Sequence, residues 1–427
     1  MKTLITTIAL LCTSLSAMAQ VHIHECYELA KKNYPLVKQY DIINNSADFT
    51  VSNAKKAYLP QISLSAQATY QSDVPTFSGE LDKMMQSMGV QMDGLHKDQY
   101  KTAVNINQFI WDGGNLKAQK LNAEADRNVE MSKLDVDLYG LNSRINDLFF
   151  GSLIIEEQLK QNYLLNARIA SNMEELEALI KSGVAIESDL DALKAEQLTV
   201  KQQEIRIKSA KQSYRAVLAI FTGVDSMTTA TFVKPNMDQL VEQEVKRPEL
   251  NLFDAQRNNI ETQRKQLNTI LNPKITAFAE GFYGNPGLDM FADMMKYKWG
   301  LNYIAGVKLQ WNISGFYTKK NSHNLLNLAQ SKVDIQKETF LFNTKMQSAA
   351  EREAVTKMRM VIEHDNEIIK LRTSILETAE AKMEAGVIDV TELISHIIAQ
   401  SNAKVAKEAN EIELLKNIYE LKTTLNQ

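Results

Sequence analysis

The chain has 427 residues, 44% hydrophobic and 23% charged, with a formal net charge of -4 at pH 7; it can bury a sizeable core and is neither disordered nor polybasic, so nucleic acid is not an expected partner. Gly 16 and Pro 7 fall well below the roughly 7% and 5% of ordinary globular chains, which predicts long helices. A mean hydropathy of -0.28, with no mature run near the ~20 apolar residues of a spanning helix, excludes a helical membrane protein. Two cysteines exclude a disulfide framework, a four-thiolate zinc site and an iron-sulfur cluster within one chain.

Residues 1–19 read as a secretory signal peptide, with Lys2, an apolar run from Leu4 to Leu11 and the small-x-small pattern Ala17-Met18-Ala19, so the mature chain is expected to begin at Gln20. Cys12 follows Leu11 rather than a small residue and is not a lipidated start, which leaves Cys26 as the only thiol and packing as the source of stability. His22-Ile23-His24 lacks a third ligand at fixed spacing and is expected to be an exposed, flexible end rather than a metal site.

The prolines reveal a duplication. Pro35 and Pro248 are 213 residues apart, as are Pro60 and Pro273, and Ser182-Gly183-Val184 answers Ala385-Gly386-Val387 at an offset of 203. We expect a first structural repeat over 20–220, a linker over 221–246 and a second repeat over 247–427. Each runs through a helix, an alternating segment, a loop, a second alternating segment, a very long helix, a Gly-marked turn and a returning helix.

In the first alternating segment Ile62, Leu64, Ala66, Ala68 and Tyr70 share one face of a strand, and Gln61, Ser63, Ser65, Gln67 and Thr69 the other. The fourth is as regular, from Trp299 to Trp311. Tyr100 to Trp111 and Lys274 to Tyr283 alternate less cleanly, with Phe278 and Phe282 breaking the third. Tyr70, Tyr100, Trp111, Tyr283, Trp299 and Trp311 gather at segment ends, as a membrane aromatic girdle would require. A pair of soluble hairpins with one face on a core would alternate in the same way.

Phe316 to Ala385 contains neither Gly nor Pro and would span about 105 Å as a helix. Its counterpart, Asn115 to about Ile180, has only Gly140 and Gly151 as weak points. Leu134, Leu138, Leu141, Ile145, Leu148, Ile155 and Leu159, with Ser152 in the missing place, step by four and three as a coiled-coil seam. The last helix repeats the pattern through Ile394, Ile398, Val405, Ile412, Leu415 and Tyr419.

Four strands cannot close a barrel, and open edges in lipid cost several kcal/mol per unpaired backbone group. Because single-chain barrels have at least about 8 strands, several copies must share one, with the helices projecting from it as a tube. Glu25-Cys26-Tyr27-Glu28-Leu29-Ala30 with Asn33-Tyr34-Pro35, Tyr58-Leu59-Pro60-Gln61-Ile62, Gln108-Phe109-Ile110-Trp111-Asp112-Gly113-Gly114 and the paired turns at Gly183 and Gly386 occur in an order that resembles the TolC-like outer-membrane efflux proteins over essentially the whole mature chain. Leu309-Gln310-Trp311-Asn312-Ile313-Ser314-Gly315, which lacks part of the second Gly-Gly pattern, and Glu384, which replaces an aromatic before the turn, depart from it.

The resemblance implies a mainly α fold with a small transmembrane β part: a homotrimer with a 12-stranded β-barrel, four strands per protomer, continued by an α-helical coiled-coil barrel. It further implies an exit duct in the outer membrane of a Gram-negative bacterium, seated in outer-membrane lipid with a large periplasmic portion. Such a duct would serve an efflux or type I secretion system through a periplasmic adaptor protein and an inner-membrane pump of RND or ABC type. Ser182, Gly183, Val184, Ala385, Gly386 and Val387 would then be adaptor-docking tips, or only turns between helices. Glu377, Glu380 and Glu384, on one helical face, would form carboxylate rings at a periplasmic gate in a trimer, or a solvated face.

No enzymatic activity, cofactor or metal is expected. His364-Asp365 has no nucleophile beside it, and there is no phosphate-cradling Gly-rich loop, HExxH or Gly-x-Ser-x-Gly elbow. Met84-Met85, Met88 and Met92 are soft ligands of the kind that hold copper, but apolar packing or a loop helix accounts for them as well. The competing readings are a periplasmic adaptor, which would show one helical hairpin flanked by β-domains, and an exported coiled-coil scaffold without a pore, which gives no reason for aromatic-ended strands.

Overall fold

The computed structural model describes residues 20–76, 79–90, 94–183, 185–236 and 244–426; the signal segment with Cys12, and also Met92 and Val184, lie outside the described residues. In chain order the elements are β1 (Gln20–Val21), α1 (Ile23–Asn33), α2 (Gln39–Lys56), β2 (Gln61–Tyr70), α3 (Glu80–Ser87), β3 (Asp98–Trp111), α4 (Asn115–Tyr139), α5 (Leu141–Lys181), α6 (Glu187–Thr222), β4 (Thr231–Phe232), α7 (Pro248–Ile270), β5 (Lys274–Asn285), α8 (Met290–Met295), β6 (Gly300–Gln310), α9 (Gly315–Glu384) and α10 (Val390–Leu425). The fold is mainly helical, as expected, with few strands. The chain forms two units, each discontinuous in sequence: a helical unit taking in the N-terminal segment to Gln39, Ser132–Leu252 and Gln336–Gln427, and a strand-bearing unit of Tyr40–Met131 and Phe253–Ile335.

The Gly- and Pro-free stretch is one helix of 70 residues, α9, about 105 Å along its axis. The corresponding stretch of the first half breaks at Gly140, between α4 and α5. Gly151 stays helical; a Cβ there would lie 2.5 Å from Cε1 of Tyr214, so the missing side chain admits an aromatic ring from α6.

In the helical unit the seam predicted along α4 and α5 is buried at Leu134, Leu138, Leu141, Ile145, Ser152 and Leu159, and half-buried at Leu148 and Ile155. It is also wider than predicted. Phe149 and Phe150 are both 0% exposed, packing on Phe232 and Tyr419 with ring centroids 5.3 Å apart in each case. On α10 the expected Ile412, Leu415 and Tyr419 are buried, but Leu393 and Ile397 are buried where Ile394 and Ile398 were expected. The reason is that α10 touches two neighbours. Leu393 and Ile397 pack with Leu376 and Ala379 of α9, while Ile394 leans on the cluster of Ile169, Leu176, Leu193 and Val200, so the buried stripe exceeds a two-position seam.

The expected flexible N-terminal end is instead anchored. β1 pairs in parallel with β4, and Ile23, Cys26 and Ala30 bury one face of α1. Burial, reinforced by the Glu25 charge, pushes the Cys26 thiol up to about 12, which leaves it inert. Asn33 donates to the carbonyls of Ile220 and Phe221 at 3.1 and 3.2 Å, tying α1 to the end of α6. Buried Arg215 donates to Glu156 at 3.3 Å and to the Thr228 carbonyl at 3.2 Å, and covers the Phe232 ring.

Truncating the best-buried ring tests this core: Phe149→Ala is expected to cost about 3–5 kcal/mol in a denaturant titration. An unchanged midpoint would place Phe149 outside the cooperative core.

Candidate functional site

In the strand-bearing unit β2, β3, β5 and β6 form one antiparallel sheet in that order. Cross-strand partners share a face, so the register fixes both surfaces. Ile62, Leu64, Ala66 and Ala68 pair with Ile106, Val104, Thr102 and Tyr100; these align with Ala279, Gly281, Tyr283 and Asn285, and further across lie Leu309, Val307, Ala305, Tyr303 and Leu301. This face is almost wholly apolar and lies open to the exterior, with Leu64 74%, Leu301 82% and Tyr303 81% exposed. A soluble protein rarely leaves so large an apolar surface bare. The strands are 10, 14, 12 and 11 residues long, enough for the roughly 9–11 that cross a bilayer. Among the described residues, β2 and β6 have no strand on their outer sides.

The opposite face carries Gln61, Ser63, Ser65, Asn105, Asn107, Lys308 and Asn302, with an ion pair between Lys101 and Glu280. Phe278 and Phe282, which spoil the alternation of the third segment, lie on this side. Phe282 is buried beneath the Lys101 ammonium, and Phe278 fills the space left at Gly306, where a Cβ would come within 3.0 Å of its ring. In β3 the register shifts between Phe109 and Trp111. That bulge turns Trp111 onto the apolar face beside Ile275, a change of phase that alternation alone does not reveal.

The six girdle aromatics fall at the two ends of the sheet. Tyr70, Tyr100, Tyr283 and Trp299 are at one, where Trp299 stacks on Tyr100 and Tyr283 with centroids 5.7 and 5.5 Å away. Trp111 and Trp311 are at the other. The loops beyond the first end hold α3 and α8; Met84 and Met85 lie on α3 and Met88 follows it, with Met84 and Met88 exposed.

At the Trp111 and Trp311 end, short connections join the strands to four helices, and sequence reasoning missed what locks them. Asp112, 2% exposed, accepts the backbone N–H groups of Gly114 at 3.0 Å and Leu116 at 2.5 Å, which caps α4, and also the Tyr58 hydroxyl at 2.8 Å. Asn272 donates to the Gly113 carbonyl at 2.8 Å, and the Trp311 indole donates to the Leu271 carbonyl at 2.9 Å. Gly113 has φ +72, and a Cβ there would stand 2.7 Å from that of Asn272, so only glycine fits. The Tyr58 and Trp111-Asp112-Gly113-Gly114 motifs thus meet; an acid at a strand end before Gly-Gly is a cap signal that the sequence carried.

In the helical unit both Gly turns close as expected. Gly183 and Gly386 have φ +77 and +70 with open space around them. At Gly386 the Val387 N–H reaches the Lys382 carbonyl and the Gly386 N–H that of Met383, the paired bonds of a Schellman cap. Asp389 then caps α10, accepting the Glu392 N–H at 2.8 Å. Ser182 donates to the Leu179 carbonyl at 2.9 Å, and Ala385, Gly386 and Val387 are exposed.

Of the three glutamates singled out, Glu377 and Glu384 are exposed, whereas Glu380 is held by Arg168 of α5. Glu380 and Glu384 line a cleft of about 600 Å3 with Arg168, Asn172, Met383 and Lys404. The Arg168 Nε and Asn172 Nδ2 atoms are buried without a hydrogen-bond partner. No sequence spacing links Arg168 to Glu380. Among the described residues no cluster of three or more His, Cys, Asp or Glu is placed to hold a metal ion, and no helix is long and apolar enough to cross a membrane.

No protein-family model matches the chain, and no curated protein matches it. Solved structures do. It is similar to the CmeC outer membrane channel of Campylobacter jejuni (13% identity, 94% of this chain and 85% of that one, TM-score 0.62) and to the outer membrane protein VceC of Vibrio cholerae (13%, 94% and 94%, TM-score 0.62). The open state of the MtrE outer membrane channel of Neisseria gonorrhoeae is similar too (12%, 94% and 88%, TM-score 0.62). The chain therefore has the fold of the TolC-like outer-membrane channels.

Removing the carboxylate that joins the connections, Asp112→Ala, is expected to cost roughly 1–3 kcal/mol, from a lost cap and an unpaired Tyr58 hydroxyl. A thermal midpoint equal to the parent's would show that the connections do not depend on it.

Proposed function

We propose that this protein is a passive outer-membrane exit duct: a homotrimer whose three four-stranded sheets join into a 12-stranded barrel in outer-membrane lipid, with the helices forming a periplasmic tube. The observation that carries this reading is the strand sheet with one bare apolar face and, among the described residues, an unpaired edge on either side. In lipid each unpaired backbone group costs several kcal/mol, which edge-to-edge joining of copies removes. The polar face, with Lys101 and Glu280, would then line a water-filled lumen. The repeats over 20–220 and 247–427, with the connection 221–246, would each supply two strands and one long helical hairpin to every protomer.

In this reading the turns at Ser182, Gly183, Val184 and Ala385, Gly386, Val387 dock a periplasmic adaptor, through which an inner-membrane RND or ABC pump delivers substrate. Small, open turns suit a partner that approaches closely. Glu377, Glu380 and Glu384 form the periplasmic gate, with Glu377 and Glu384 free to present rings of carboxylates to cations and Glu380 held by Arg168. Energy for transport comes from the pump, and the duct carries out no catalysis.

Purified protein added to planar lipid should open discrete conductances, and Glu377→Gln should alter their blockade by multivalent cations; a silent bilayer would contradict the duct, and unaltered blockade would remove Glu377 from the gate. Bulky residues in place of Gly183 and Gly386 should abolish efflux while trimers remain in the membrane. Undiminished efflux would count against docking at these turns.

A further inference from the structure

The sheet end that carries Trp111 and Trp311 is also the place where four helices meet the strands. α2, α4, α7 and α9 lie next to it through residues 57–60, 112–114, 271–273 and 311–314. The chain around these junctions is devoid of acids: 49–72, 113–123, 262–279 and 294–333 contain no Asp or Glu, in a protein whose net charge is -4. The one carboxylate among the junctions, Asp112, is buried and occupied by its cap bonds. Lysines remain. Lys55, Lys56, Lys117 and Lys320 are exposed and Lys319 is half-buried, and among the described residues none of the five is in an ion pair.

Helix stability explains only part of this. Lys55 and Lys56 suit the C-terminal end of α2, but Lys117 lies in the first turn of α4, where the helix dipole disfavours cations, and Lys319 and Lys320 lie past the first turn of α9, far from the C-terminal end that a cation would stabilise. The aromatic neighbours give the belt a position. Trp311 directly follows the last residue of β6, and its ring sits edge-on to Phe316 at 6.4 Å; the Lys319 ammonium lies over Phe316 at 5.7 Å. A lysine is thereby held just beyond the end of the apolar band, at the depth where a lipid headgroup begins. The opposite end of the sheet has no such bias, since Asp73, Asp98, Asp289 and Asp293 stand there among the lysines.

We infer that Lys55, Lys56, Lys117, Lys319 and Lys320 form a lipid-docking belt that binds the phosphate groups of anionic phospholipid in the leaflet on the helix side of the membrane. The inference rests on the reading that the strand face lies in lipid. The belt fixes the depth of the sheet and distinguishes its two ends, because only one end has cations without competing carboxylates.

Native mass spectrometry of the full-length protein, titrated in detergent with phosphatidylglycerol or phosphatidylcholine, tests it, alongside insertion into pure phosphatidylcholine vesicles. The parent should retain phosphatidylglycerol over phosphatidylcholine by roughly tenfold or more. That preference should fall several-fold when all five lysines become Gln and return when they become Arg, with insertion into phosphatidylcholine vesicles preserved throughout. Equal retention of both lipids by the parent, or an undiminished preference in the Gln variant, would overturn the belt while leaving the membrane reading intact. If the parent fails to enter phosphatidylcholine vesicles at all, both fall. Loss of insertion by both the Gln and the Arg variants would make the lysines structural and overturn the belt as well.

Discussion

A four-stranded sheet that leaves one apolar face bare and, among the described residues, an edge open on each side is the feature on which the rest of the molecule depends. In water the face would aggregate, and in lipid the edges would be intolerable; a barrel shared by several copies answers both demands at once. The protein's other oddities follow from that geometry in the proposed duct. The strands are long enough to cross a bilayer, aromatics mark their two ends, and polar residues, a Lys101–Glu280 pair among them, occupy the side that would face a lumen.

Within the strand-bearing unit the helix ends are fixed to the sheet. Each strand enters or leaves through a short connection at the same sheet end, and the connections are pinned to one another by Asp112, Asn272, Trp311 and Tyr58. That pinning gives a physical account of the sequence motifs that pointed to the fold. Pro60 and Pro273 stand where strands begin and no ladder N–H is needed, and Gly113 stands where a left-handed backbone meets Asn272. The helical unit holds itself by broad apolar packing around Phe149 and Phe150, with Arg215 of α6 joined both to Glu156 of α5 and to the Thr228 carbonyl of the connecting segment.

Much of this was legible in the sequence because it is periodic or local. The strand faces, the 70-residue helix, the glycine turns and the order of elements all follow from spacing, composition and chain punctuation. What escaped is non-local. The bulge before Trp111 changes the phase of β3 without any change in composition. The contact of α10 with two neighbours moves burial from Ile394 and Ile398 to Leu393 and Ile397. The pair of Arg168 with Glu380 joins residues far apart in the chain, and it separates Glu380 from Glu377 and Glu384, which the helical spacing had grouped together. The anchoring of the N-terminal segment depends on β4, a strand of two residues that no local pattern announces.

The most direct measurement is disulfide trapping between copies. Single cysteines placed on β2 and on β6 of the same chain, in a set of registers and with the buried Cys26 left as it is, should give a ladder on non-reducing gels that ends at a covalent trimer, because each β2 would lie beside the β6 of another copy. A pattern of monomers alone in every register, from protein shown to reside in the membrane, would contradict the shared barrel.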